Sequence, residues 1–142
     1  MSSCFASCSS LTSVIFNSIN SNVTQLSGVF SGCTSLVTAP NFTISGTTTM
    51  SYKFSGCTLL ENVPEYNTSR IFSPYAIQSI FGNCPNLTDT SLNNILNMCR
   101  KSGITSGTRT LKNMGLTQEQ ATRCQSLSNY SAFTNAGWTT GY

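Results

Sequence analysis

Seven cysteines and no histidine define the chemistry open to this chain of 142 residues. Without imidazole there is no Ser-His-Asp or Cys-His triad and no His-ligated zinc. Asp89 is the one aspartate, so an aspartate dyad is excluded as well. Hydroxyls are plentiful, with 23 Ser and 20 Thr, but no Gly-x-Ser-x-Gly elbow occurs. A Ser-Lys pair is the one activated nucleophile left open. Cys4 and Cys8 have a plausible ligand spacing but lack two convincing further ligands, and the glycines form no Walker-type phosphate loop. The chain is expected to be non-enzymatic, with no metal and no cofactor.

Ser, Thr and Asn make up 57 of the 142 residues, whereas only 8% are charged. With 39% apolar residues the composition is not that of a disordered chain, which combines low hydrophobicity with high net charge. The net charge of +3 is concentrated late, in Arg100, Lys101, Arg109, Lys112 and Arg123. It is too sparse for a nucleic-acid footprint. No apolar run approaches the roughly 18–20 residues of a membrane span. Five Asn-x-Ser/Thr sequons begin at Asn22, Asn41, Asn67, Asn86 and Asn129, a number that the composition itself explains.

The strongest signal is an internal repeat. Phe5-Ala-Ser-Cys8-Ser-Ser-Leu11-Thr-Ser-Val14 aligns with Phe30-Ser-Gly-Cys33-Thr-Ser-Leu36-Val-Thr-Ala39-Pro40. It aligns equally with Phe54-Ser-Gly-Cys57-Thr-Leu-Leu60-Glu-Asn-Val63-Pro64 and Phe81-Gly-Asn-Cys84-Pro-Asn-Leu87-Thr-Asp-Thr90. Met1, Leu26, Met50 and Ile77 lie four residues before the phenylalanines, which suggests one helical turn between the two columns. Gly32, Gly56 and Gly82 suit a tight corner between Phe and Cys, and Pro40 and Pro64 discourage continuation of a strand. Each Leu-x-x-Val segment is expected to be a short strand, paired in parallel with its neighbours about 4.8 Å away. Cys8, Cys33, Cys57 and Cys84 would then form a buried free-thiol ladder, too widely spaced for disulfides.

This Phe-x-x-Cys-x-x-Leu-x-x-Val-Pro unit resembles the BspA-like (Treponema-type) leucine-rich repeat over about residues 1–92, with Thr90 departing from the family pattern. The resemblance implies an α/β leucine-rich-repeat solenoid of about four coils over 1–92, starting inside a repeat. It also implies a place in a phage tail or at a bacterial cell surface. On this reading the chain is a recognition or adhesion module for a protein or glycan receptor. The alternative is a structural spacer or assembly element of a virion, packed against neighbouring subunits. Because Met1 aligns with Met50, the first coil is expected to meet upstream sequence or a partner subunit along Met1, Phe5, Leu11 and Val14.

Residues 93–142 carry no repeat and are expected to form a small helical C-terminal cap. Leu92, Ile95, Leu96 and Cys99 share one helix face, with an N-cap among Thr88, Asp89 and Thr90. A short helical turn over Thr110–Met114, a capping box at Thr117–Gln120 and a last helix near Asn129–Ala136 follow. The Ser/Thr/Asn-rich stretches 17–24, 43–49 and 67–73 read as turns. For ligand binding, Phe42 and Tyr66 stand two residues after the repeat prolines. They would form either an exposed aromatic ledge or core plugs. Thr12, Val37, Thr38, Glu61, Asn62 and Asp89 would line the adjoining sheet face.

Overall fold

A computed structural model describes residues 1–16, 20, 22–43 and 46–142. The connecting-stretch residues 17–19, 21, 44 and 45 lie outside it. The repeats pack in sequence order, and their phenylalanines stack: Phe5 on Phe30 at 5.5 Å, Phe30 on Phe54 at 5.6 Å, and Phe54 on Phe81 at 6.0 Å, all within 9° of parallel. Leu36, Leu60 and Leu87 are buried beside them. In the first repeat Phe5, Leu11 and Val14 are half-buried and Met1 is exposed.

The expected strand-based leucine-rich-repeat solenoid is not what the chain forms. Among the described residues there is no sheet, only three isolated parallel bridges, Gln25 with Thr49, Thr38 with Asn62 and Thr110 with Thr139. The reason lies in the turns on either side of each supposed strand. Cys33 and Leu36 are held by consecutive turn bonds (Cys33 N–H to Phe30 O, Leu36 N–H to Cys33 O), and Pro40 stops the chain beyond. Only residues 37–39 remain to pair. In the fourth repeat Thr88 already caps a helix, so Asp89 and Thr90 are helical.

What joins the repeats is a ladder of turns. Two residues before each phenylalanine stands a left-handed residue: Ser3, Gly28, Tyr52 or Ser79. Two after it stands another: Ser7, Gly32, Gly56 or Asn83. The fourth corner is therefore Asn83 rather than Gly82, and the left-handed residue before Phe prevents the helical turn expected there. Alternate N–H groups of each turn donate to the next repeat: Gly28, Phe30 and Gly32 to the carbonyls of Ser51, Lys53 and Ser55 at 2.7–2.9 Å. The same pattern joins Tyr52, Phe54 and Gly56 to Gln78, Ile80 and Gly82.

Three helices follow: α1 (Asp89–Lys101), α2 (Gln118–Cys124) and α3 (Tyr130–Asn135), with α1 packed on both others. Thr88 caps α1 by accepting from Ser91 N–H, and Leu92, Ile95, Leu96 and Cys99 face inward. Thr117 and Gln120 form a reciprocal capping box on α2. Residues 110–114 form no helix; Thr110 bridges Thr139, and a turn follows. That turn supplies the last repeat with acceptors, Asn113 O for Ser79 N–H and Met114 O for Phe81 N–H. No helix among the described residues is long and apolar enough to cross a membrane.

Candidate functional site

Most of the expected face residues come together, on short backbone bridges instead of a sheet. The amides of Glu61 and Asn62 both donate to Val37 O, at 2.9 and 3.1 Å, and Ala39 N–H donates to Asn62 O at 2.8 Å. Thr88 N–H donates to Glu61 O, which brings Asp89 to the end of the same row. Val37, Thr38, Glu61, Asn62 and Asp89 are all exposed. Thr12 is exposed too, but no hydrogen bond among the described residues ties it to the row.

Behind the row the backbone is held firmly. Ser91 Oγ donates to Glu61 O at 2.7 Å and accepts from Val63 N–H at 2.8 Å, while Asn94 Nδ2 donates to Val63 O at 2.9 Å. Between the two sits a shallow groove of about 260 Å³, lined by Thr38, Asn41, Asn62, Pro64, Thr90 and Ser91 among others. Its surface is largely apolar, with Ala39, Val63 and Pro64 among the lining residues, and the hydroxyls and side-chain amides of Thr38, Asn41, Asn62, Thr90 and Ser91 add uncharged hydrogen-bonding groups. Charge lies outside the groove lining, at exposed Glu61 in the row and at the margin. Asp89 accepts from Arg123 Nε at 2.9 Å, and Glu65 is paired with Lys101. Burial pushes the Glu65 pKa up, but hydrogen bonds from Lys101 and Asn97 outweigh it and hold the carboxyl below its usual range.

Phe42 and Tyr66 are not a ledge. Tyr66 is buried, its hydroxyl donating to Pro40 O at 2.7 Å, and Phe42 is half-buried with its ring 5.6 Å away. Their common neighbour is a residue that the sequence pattern contains but that motif reasoning passes over. Lys53 is fully buried, with Nζ 3.6 Å from the ring centre of Tyr66, 4.5 Å from Phe42 and 5.0 Å from Phe54. Its column, the residue before each phenylalanine, reads Cys4, Val29, Lys53, Ile80. A charged residue type in a column with Val and Ile was the available signal.

Nζ has no hydrogen-bond partner among the described residues. A well-placed, desolvated ring face favours the ammonium by about 2 kcal/mol, and the two farther rings by less. Removing an ammonium from water costs several kcal/mol, and ring faces are poor substitutes for its three lost hydrogen bonds. Desolvation is the larger effect and holds the Lys53 pKa well below the ordinary lysine range.

The thiols offer no nucleophile in the core. Cys33, Cys57 and Cys84 are buried and free, and each Sγ donates to the phenylalanine carbonyl of the preceding repeat at 3.0–3.1 Å. Burial pushes the Cys57 and Cys84 thiols up to about 12. Among the described residues no three His, Cys, Asp or Glu side chains gather as a metal site. Comparisons with protein-family models, with curated proteins and with solved structures found no match to this chain.

Proposed function

We propose that this protein is a non-enzymatic recognition module, and that the row Val37, Thr38, Glu61, Asn62 and Asp89 is the surface it presents to a protein or glycan. The observation that carries the reading is the exposed row and its groove, where uncharged hydrogen-bonding groups border apolar surface, set on backbone that is hydrogen-bonded from both neighbouring repeats and from α1. A preorganised surface lowers the ordering cost of binding. The absence of histidine and the burial of the core thiols speak against acid–base or nucleophilic catalysis.

The test is binding of the full chain to arrayed glycans and, separately, to arrayed proteins. Asn62→Arg and Thr38→Arg place bulk in the groove at exposed positions. Both are expected to weaken binding at least tenfold with unchanged melting temperature. Binding that survives both substitutions would reject this face as the recognition surface.

A further inference from the structure

The chain has no histidine, the residue whose ordinary pKa falls between pH 5 and 8. A charge change of a core group in that interval requires a strongly displaced group of another type. Lys53 is such a group by its position alone. It fills a column occupied by buried Val29 and Ile80, and its amine faces three rings with no hydrogen-bond partner among the described residues. Desolvation outweighs the ring faces in setting its protonation, and no acid or second base among the described residues acts on it. Of the three rings only Tyr66 titrates, and burial pushes that phenol further up. The nearest acids along the chain, Glu61 and Glu65, are exposed, and Glu65 is paired with Lys101.

One wall of the box differs from the others. Phe54 and Tyr66 are buried, whereas Phe42 is half-buried and leans on half-buried Phe16 at 5.1 Å. We propose that Lys53 is a proton-operated latch: as the amine it closes the Phe42–Phe54–Tyr66 box, and as the ammonium it leaves through the Phe42 side. The step takes one proton from solvent onto the Nζ lone pair. The ammonium then gains water by displacing Phe42, the one of the three rings that is not fully buried. Asn41, next to Phe42, lines the groove, and Pro40 is held by the Tyr66 hydroxyl, so opening disturbs the groove edge. The latch itself does not depend on the recognition reading.

Isotope-labelled full-length protein, titrated from pH 9 to pH 5 by NMR, tests this directly. The Lys53 Cε signal is expected to report protonation within that range. The Phe42 and Tyr66 ring protons should become accessible to a soluble paramagnetic agent in step with the Lys53 signal. Lys53→Met, which restores an apolar residue to the column, should keep its rings shielded throughout. In addition, the unfolding constant of the wild type relative to Lys53→Met should rise tenfold per unit fall in pH from about 10 toward the Lys53 midpoint. A Lys53 that titrates in the ordinary lysine range, or remains an amine to pH 5, would overturn the latch. So would rings that stay shielded after protonation, or that open equally in Lys53→Met.

Discussion

The repeat cysteine serves as a hydrogen-bond donor to the backbone of the preceding repeat. Phe5, Phe30 and Phe54 carbonyls each receive a turn N–H from their own repeat and a thiol from the next. That arrangement protects the sulfur twice, by burial and by holding it in its protonated form. At pH 8 a thiol with a pKa of about 12 is ionised in about one molecule in ten thousand, and the thiolate is the reactive species. Maleimide treatment of native protein at pH 7.5 is therefore expected to add two labels, on exposed Cys4 and Cys8, and seven in denaturant. Intact-mass spectrometry reads the count; rapid labelling of Cys57 or Cys84 in the native state would contradict their burial. Lys53 shows the converse. One polar residue in an apolar column is visible in the alignment, but whether it turns outward or enters the core depends on Phe42 and Tyr66, which other parts of the repeats supply.

At the scale of elements, the junction between the last repeat and the turn at 111–115 brings backbone close against backbone. A Cβ on Gly115 would lie 2.6 Å from Gly82 N and 2.7 Å from Gly82 Cα, at φ +90°. One on Gly56, at φ +79°, would meet nothing closer than Gly32 at 3.5 Å. Gly56→Ala should therefore cost only the left-handed penalty, about 1–2 kcal/mol. Gly115→Ala should cost clearly more, because backbone must move and the acceptors for Ser79 and Phe81 move with it. Urea midpoints compare the two; equal losses would mean that the Gly82 contact is unimportant. Thr117→Ala, which removes the capping-box oxygen of α2, should cost about 1 kcal/mol by the same measurement. The helices were legible in the sequence because caps and one-sided apolar faces are local signals. The side-chain ladders were legible because packing repeats the same residue types, Phe, Cys and Leu. The backbone between them was not. One left-handed column holds Ser3, Gly28, Tyr52 and Ser79, three residue types in four positions, so the pattern looked compatible with strands where the chain makes turns. The exposed row survived that error because Val37–Thr38 and Glu61–Asn62 still pair locally.

Across the whole molecule, the turn ladder has a direction. Its N–H groups point from each repeat toward the next, so the final row of donors needs carbonyls from outside the repeats. Asn113 and Met114 provide them, and Asn113 Nδ2 also donates to Pro74 O at 3.0 Å. The same region covers apolar surface: Leu111, Met114, Leu116, Phe133 and Trp138 are buried with Phe81, Leu92 and Ile95 in one continuous core. Deleting residues 104–142 would therefore remove two backbone acceptors and strip the outer layer from α1 and the fourth repeat together. An unsatisfied buried N–H costs about 1–3 kcal/mol, and each large apolar side chain returned to water about 1.5–3 kcal/mol. Against a typical domain stability of about 5–15 kcal/mol, losing several at once exceeds what the repeats can retain. The truncated chain is expected to lose cooperative thermal unfolding or to aggregate, as followed by calorimetry and light scattering. If it instead stayed monomeric with an unchanged melting temperature, the repeats would be stable without these acceptors, and the directional ladder would have no bearing on stability.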